Sequence, residues 1–290
     1  MLVALAVIIT VVSGYYIFMD EMSEGRKIAG LVTGVYTGGT PNMAAVKTAL
    51  NVDSGVYIMT HTYDMFVCAI FLLFTMTFFK QFTGLFLKPF TIKNEHKVLN
   101  GNSDSTEELE SYKGIFKDGN YKGILKGLGL SIVILVVSWG GSQLVSEEFA
   151  TVTAILVLTS LGILFSAVPT INRTPKTYQS GMYLILIFSL AVSSMADLEA
   201  LEDVSHQLFF YVLYVVAGIT ILNFVFSYIF KIDKDTTLIT LTALIFSPPF
   251  VPLVASKLKN KAIIISGITV VIIGYSVGTF LGIFSAYLLK

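Results

Sequence analysis

The chain has 290 residues, of which 54% are hydrophobic and 13% charged, and its mean hydropathy is +0.78. A soluble protein carries about 25% charged residues, so this composition excludes an ordinary soluble domain and predicts a polytopic α-helical membrane protein. The net charge of +0 gives no indication of nucleic acid as a partner. With 3 His and 1 Cys, the chain has little from which to build a zinc or haem site.

The first 79 residues predict a helix, an interrupted segment and a second helix. Residues 2–19 are apolar and lack the basic start and the cleavage site of a signal peptide, so they predict a membrane helix. Residues 28–50 contain GVYTGGTPNMAAVKTAL, in which the pair Gly38 and Gly39 and then Pro41 break any continuous helix. Residues 57–79 are apolar again and predict the next helix.

Small polar groups surround the first interruption. An interrupted helix at membrane depth is tolerated where it is packed in protein or lines a water-filled cavity. Secondary transporters build their binding sites in this way. The sequence therefore predicts a substrate or ion site at Thr37, Gly38, Gly39, Thr40, Pro41 and Asn42.

Residues 80–126 differ from their flanks because they mix lysines with acids, Asn, Ser and Gly. We interpret them as a polar cytoplasmic linker between a first part, residues 1–79, and a second part, residues 127–290. The second part predicts six membrane segments, at residues 127–145, 150–171, 179–195, 208–230, 238–256 and 262–289. The predicted fold is therefore all-α, with about nine membrane segments.

A second interruption lies in residues 238–256, where the sequence reads IFSPPFVPLVAS. Ser247, Pro248 and Pro249 break the helix there, and each proline leaves a backbone carbonyl free to coordinate a cation. The order helix, interrupted segment, helix occurs once in each half of the chain. Matching interruptions in two halves are the best sequence indication of a transporter site.

The last helix carries Gly274, Gly278 and Gly282 at every fourth position. This spacing puts the three glycines on one face, where they allow a neighbouring helix to approach closely. We interpret this face as a packing surface, with one of the interrupted helices as a candidate partner.

The charges of the loops leave two questions open. By the excess of Lys and Arg on the cytoplasmic side, residues 2–19 and 208–230 run in the same direction, whereas inverted repeats require opposite directions. Either one segment is miscounted, or the halves are related by parallel rather than inverted symmetry. The lysines at 257, 259 and 261 oppose the trend if residues 238–256 cross the membrane fully. Either that segment is re-entrant or the rule fails locally.

Asp64 is the strongest candidate for an ion-coupling residue, because a charge within a membrane span is costly and is usually functional. His61 lies three residues earlier on the same helix face, and such a pair could carry a proton or help to hold Na⁺. The alternatives are that Asp64 is hydrated near the helix start or pairs with Lys47. We interpret Cys68 as a packing residue. No nucleophile elbow, P-loop or HExxH motif occurs, so we do not expect an enzyme.

The motifs GVYTGGTPNMAAV and THTYDMF, followed later by MADLEAL and GYSVGTFLG, resemble the YjcL-like family of bacterial and plant integral membrane proteins. The resemblance covers essentially the whole chain. The layout is similar to the bile-acid/sodium symporter and cation/proton antiporter superfamily, which implies two repeats whose broken helices cross at a midplane site. The family's second crossing is usually rich in Asn, Gly and Ala, whereas this chain has SPPFVP. Members also carry about three further N-terminal helices, which implies an incomplete first repeat here.

These observations predict a secondary active transporter of a small organic solute, coupled to Na⁺ or H⁺, in the bacterial inner membrane. Its expected partners are the lipid bilayer and the solute, with a homo-oligomer as an open possibility, and no cofactor is expected beyond the coupling ion. The alternative function is a non-transporting membrane scaffold or assembly partner, which the implied loss of N-terminal helices favours.

Overall fold

A computed structural model of the chain describes residues 2–19, 22, 24–79, 83–84, 86–90, 120–172, 174, 176–194, 206–246, 250–258 and 260–290. Over these residues the fold is all-helical, as the sequence predicts. The helices are α1 (Leu2–Gly14, continued by a π-helical turn, Tyr15–Met19), α2 (Gly25–Ala49), α3 (Ser54–Phe74, continued by a π-helical turn, Thr75–Phe79), α4 (Asn120–Ser142), α5 (Glu147–Ser166), α6 (Pro169–Asn172), α7 (Thr177–Ser194), α8 (His206–Ile229), α9 (Lys234–Ile245), α10 (Phe250–Leu258) and α11 (Ile264–Leu288).

Six of the described helices are long and apolar enough to cross a membrane: Leu2–Met19, Ser54–Phe74, Tyr121–Ser142, Phe149–Ser166, His206–Ile229 and Ser266–Leu288. The helices fall into two compact units. The first comprises residues 1–47, 52–95 and 193–290, and the second comprises residues 48–51 and 96–192. In the second unit α4 packs on α5. Residues 91–119, which form most of the predicted linker, lie outside the described residues.

In the first unit, α1 and α8 pack against each other in opposite directions. The hydroxyl groups of Ser13 and Tyr214 lie 3.1 Å apart, and Thr10 contacts Gly218. Residue numbers rise along α1 as they fall along α8, so the two helices are antiparallel. The loop-charge count, which gives both segments one direction, is therefore wrong for one of them.

Helix α2 turns back on itself at Gly39, whose φ of 75° and ψ of −177° are not helical. A Cβ atom on Gly34 would lie only 3.2 Å from Cγ2 of Val46. In a continuous helix, residues twelve positions apart are separated by about 18 Å. The two arms of α2, residues 25–38 and 40–49, therefore lie side by side.

The two ends of α2 meet at the same surface of the unit. Just before α2, the Glu24 carboxylate accepts a hydrogen bond of 3.3 Å from the backbone N–H of Asp53, which caps the start of α3. Lys27 forms an ion pair with the same carboxylate at 2.6 Å. The segment thus enters and leaves on one side, and we call it the α2 hairpin.

Helices α9 and α10 form a second hairpin. At its base, Nδ2 of Asn260 donates a 2.9 Å hydrogen bond to the carboxylate of Asp235. The arms have 12 and 9 residues, about 18 and 14 Å, which is too short for a hydrocarbon core of about 30 Å. Arms of this length favour the re-entrant explanation for the opposing lysines, which stays a prediction. The interrupting residues 247–249 lie outside the described part of the chain.

Helix α11 contacts both hairpins along its length. Gly267 near its start lies against Ile239 of the α9–α10 hairpin, and Gly282 near its end lies against Val46 of the α2 hairpin. Between them, Gly274 contacts both Thr37 and Leu244. The hairpins therefore approach from opposite ends of α11, and Thr37 of one and Leu244 of the other lie near its middle, whereas the family resemblance implies two crossing helices.

Candidate functional site

Glycines allow the α2 hairpin and α11 to pack at backbone distance. A Cβ on Gly278 would lie 2.6 Å from Nδ2 of Asn42 and 3.0 Å from Cα of Gly38. A Cβ on Gly38 would lie 2.5 Å from Cγ of Asn42. Any side chain at these positions would push the elements apart. The face predicted for packing on α11 is thus in contact with the interrupted helix, and the three elements meet at the hairpin tip.

Asn42 connects the second arm of the α2 hairpin to α11. Its Nδ2 donates to the backbone carbonyl of Tyr275 at 2.9 Å and to the hydroxyl of Thr279 at 3.2 Å. The side chain is buried. Its amide nitrogen is therefore used in fixing the tip, and its role as a ligand stays a prediction. Thr40 and Pro41 open this arm, where the missing N–H of proline costs no helical hydrogen bond.

Asp64 lies inside the protein on α3, with 7% of its surface exposed. The Cys68 thiol donates to its Oδ1 at 3.3 Å, and Nδ1 of His61 lies 3.9 Å from its Oδ2. No ion pair joins Asp64 to Lys47 among the described residues. The burial of Asp64 argues against a hydrated carboxyl near the helix start. The lack of an ion pair argues against pairing with Lys47. The carboxyl therefore sits in a polar cluster without a basic residue bonded to it.

The α2 hairpin supplies the other polar groups of this cluster. The hydroxyl of Tyr36 lies close enough to the Asp64 carboxyl and the Cys68 thiol to interact with them electrostatically, and it is buried without a hydrogen-bond partner among the described residues. The hydroxyl of Thr37, on the next residue, is also buried without a hydrogen-bond partner in the described part of the chain. Thr37 is 1% exposed and lies at the tip, so its oxygen is available to a ligand there.

The buried side-chain oxygen and nitrogen atoms that lack a partner, among the described residues, all belong to the α2 hairpin or to the face of α3 that bears Asp64. They are Tyr36 Oη, Thr37 Oγ1, Tyr57 Oη, His61 Nδ1 and His61 Nε2. Buried polar atoms are paired in most folded proteins, and exceptions often mark a ligand, an ion or water. This concentration of unsatisfied groups makes the cluster the candidate binding site.

The α9–α10 hairpin reaches the same level of α3. The last residue of α9, Ile245, directs its carbonyl oxygen toward the Cys68 thiol at 4.0 Å. The rings of Phe71 and Phe246 lie 5.8 Å apart. Both hairpins therefore border the cluster around Asp64. Ser247, Pro248 and Pro249, predicted to complete the site from this side, lie outside the described residues.

Sequence reasoning identified Asp64 and His61 but missed three of their neighbours. Tyr57 lies four residues before His61, and Cys68 lies four residues after Asp64. Helical spacing puts them on the same face of α3, so the sequence alone could have identified this face. Cys68 is a partner of the carboxyl rather than a simple packing residue. Tyr36 comes from another helix, and nothing in the sequence indicates that it faces Asp64.

Together, the apolar spanning helices and the buried polar cluster define an integral membrane protein of the polytopic helical class. The chain belongs to the family described as protein of unknown function (DUF819), which matches residues 1–290. It is similar to the uncharacterized membrane protein YjcL of Bacillus subtilis (strain 168), with 23% identity over 282 residues that cover 93% of this chain and 69% of that protein. No solved structure matches the chain significantly.

Proposed function

We propose that the protein is a secondary active transporter of a small organic solute, coupled to H⁺ or Na⁺. One observation carries this proposal: two short hairpins approach from opposite ends of α11, and residues of both, Thr37 and Leu244, lie against Gly274. Next to Leu244, the Ile245 carbonyl is directed at the thiol of Cys68, which donates to the buried Asp64 carboxyl. Interrupted helices at membrane depth leave backbone groups that a solute or ion can use. A carboxyl kept at this depth is costly unless it binds a cation or a proton.

The arrangement of elements supports an inverted repeat. Helix α1, the α2 hairpin and α3 form one series, and α8, the α9–α10 hairpin and α11 form the second. Because α1 and α8 are antiparallel, the two series run in opposite directions across the membrane. Two inverted halves are the usual basis of alternating access, in which the site opens to either side in turn.

Each predicted site residue has a role under this proposal. Asp64 binds the coupling ion, and the Thr37 hydroxyl binds the solute or the ion at the tip. Asn42 holds the tip in place through α11. Gly38 and Gly39 allow the close packing and the turn of the first hairpin. Thr40 and Pro41 open its second arm. Ser247, Pro248 and Pro249 stay a sequence-based prediction for the second hairpin. The membrane is the bacterial inner membrane.

Uptake into proteoliposomes tests the assignment. A panel of organic acids, amino acids and uncharged solutes is offered under an imposed proton or sodium gradient. Asp64→Asn and Thr37→Val are expected to insert into the membrane, but their rate of solute uptake should be at least tenfold lower than that of the wild type. Asp235→Asn is the matched control, since Asp235 is equally buried (6% exposed) but belongs to the hairpin base. Wild-type uptake by both site variants would refute the site.

Cys68 offers a second test because it is the only cysteine of the chain. Its thiol lies between Asp64 and the end of α9, so its reaction with a maleimide reports how open the site is. Alternating access predicts that the labelling rate from one side changes at least severalfold when the ion gradient is reversed. A non-transporting scaffold, the alternative function, predicts a constant rate and no uptake of any solute.

A further inference from the structure

We propose that the coupling ion is a proton, and that it reaches Asp64 along one face of α3 from the membrane surface at which the α2 hairpin begins and ends. The inference deepens the proposed function and rests on it, because only a transporter has a coupling ion. It is carried by the placement of titratable groups on α3 and by the unpaired atoms among them.

Titratable side chains follow one another along α3 at intervals of four, four, three and four residues. They are Asp53, Tyr57, His61, Asp64 and Cys68. These intervals place the last four on one side of α3, which we call the polar face of α3, and Asp53 caps the start of the helix. The opposite side carries Phe66, Ile70 and Leu73, which are exposed as lipid-facing residues are.

The polar face leads from the surface to the middle of the membrane. Asp53 is exposed and caps the start of α3 beside the hairpin base, whereas Asp64 is buried. Eleven residues of helix separate them, about 16 Å, which is half of a hydrocarbon core of about 30 Å. A proton that enters at Asp53 therefore travels along one helix to reach the tips of the hairpins.

Between these two carboxyls, the groups on the path have unused hydrogen-bonding capacity. The Tyr57 hydroxyl and both ring nitrogens of His61 are buried without a partner among the described residues. The two rings stack with centroids 6.2 Å apart and planes inclined by 7°. A neutral imidazole donates from one nitrogen and accepts at the other, so His61 can take a proton on one side and release it toward Asp64, whose Oδ2 is 3.9 Å from Nδ1.

The neighbours of the Asp64 carboxyl favour a proton over Na⁺. Among the described residues, the titratable groups near His61 and Asp64 are Cys68 and Tyr57 on α3 and Tyr36 on the α2 hairpin. Thiol, phenol and imidazole groups exchange protons, whereas hard cations prefer oxygen ligands such as carboxylates and carbonyls. From α9, the Ile245 carbonyl is directed at the thiol rather than at the carboxyl. Uptake of one proton converts the carboxylate to a neutral acid, which removes a charge that costs free energy at this depth.

Infrared difference spectroscopy on the full chain in lipid nanodiscs tests the proposal without any solute. After a rapid drop in pH, the carbonyl stretch of a protonated carboxylic acid is recorded over time. The wild type is expected to show this band, Asp64→Asn to lack it, and Asp64→Glu to shift it, which keeps the assignment testable if the Asn variant does not fold. His61→Gln should keep the amplitude and slow the rise at least tenfold. Tyr63→Phe is the control, because Tyr63 packs against Phe209 of α8 instead.

Three results would overturn the proposal. A wild-type band that Asp64→Asn leaves intact places the proton elsewhere. A wild-type rate in His61→Gln rules out the path through the imidazole. Loss of the band when Na⁺ replaces K⁺ shows that the carboxyl takes sodium. These results are separable from the proposed function: a band that behaves as expected in a protein that takes up no solute leaves the proton site standing and removes the transporter.

Discussion

Replacing Gly278 by alanine tests whether the α2 hairpin and α11 pack as closely as the structure has them. The new Cβ would lie 2.6 Å from Nδ2 of Asn42 and 3.0 Å from both N and Cα of Gly38. Ordinary carbon contacts are about 3.5–4.0 Å. The Asn42 side chain can rotate away, but the Gly38 backbone cannot move without the whole arm.

Adding a methyl group to a well-packed interior costs about 1–3 kcal/mol, and the helix preference of alanine returns up to about 1 kcal/mol. We therefore expect Gly278→Ala to lose about 1–2 kcal/mol of unfolding free energy. At about 2–4 °C per kcal/mol for a chain of this size, the apparent Tm should fall by several degrees. Size-exclusion chromatography after heating in detergent measures this. Gly162→Ala is the control, since a Cβ added to Gly162 on α5 would have no atom within 4 Å.

Equal Tm values for Gly278→Ala and Gly162→Ala would refute the close packing. The double variant with Asn42→Ala sharpens the test. Asn42→Ala removes one of the two clashes together with the hydrogen bonds to α11, so the double variant should lose less stability than the sum of the single variants. Strict additivity would mean that the two residues do not meet.

Three further changes probe the hairpins, each by the same thermal assay. Asp235→Ala removes the buried carboxylate that accepts a hydrogen bond from the half-buried Asn260 amide, and we expect a loss of about 1–3 kcal/mol. A Tm within about 1 °C of the wild type would contradict this. Glu24→Gln weakens a partly exposed ion pair, so it should cost under about 1 kcal/mol, and a larger loss would show that this base matters more than its exposure suggests. Gly39→Ala puts a side chain at φ 75° and ψ −177°, a region that is essentially restricted to glycine, which should cost about 1–3 kcal/mol. Unchanged stability would contradict this.

The sequence predicts where the first hairpin turns but not that it turns back. Glycine and proline act on the backbone at their own positions, so the sequence alone locates the break near Gly39. The return depends on Gly34 meeting Val46. A four-residue spacing of small residues indicates close packing, but it does not say which segment fills the space. The resemblance to crossing helices therefore gave a different geometry.

Charge arguments from the sequence concern single segments, and the fold decides how those segments meet. Asp64 stands out because a carboxyl in an apolar run is costly wherever the run lies. That Tyr36 lies close to it depends on the tertiary fold. Counting lysines in loops misjudged the direction of α1 or α8, because the count treats residues 28–50 as one full crossing. The hydrogen bond between Glu24 and Asp53 instead puts both ends of the α2 hairpin on one side.

The dependence of the α2 hairpin on α11 has a consequence for biosynthesis. Neither arm is long enough to span the bilayer, and the tip exposes backbone groups that lipid cannot satisfy. The glycine surface that receives it belongs to a helix about 215 residues further along the chain, which a ribosome reaches tens of seconds later at about 5–20 residues per second. During that interval the hairpin must stay at the membrane surface or be shielded by the insertion machinery. The surface on which the hairpin finally packs exists only after α11 has been synthesised.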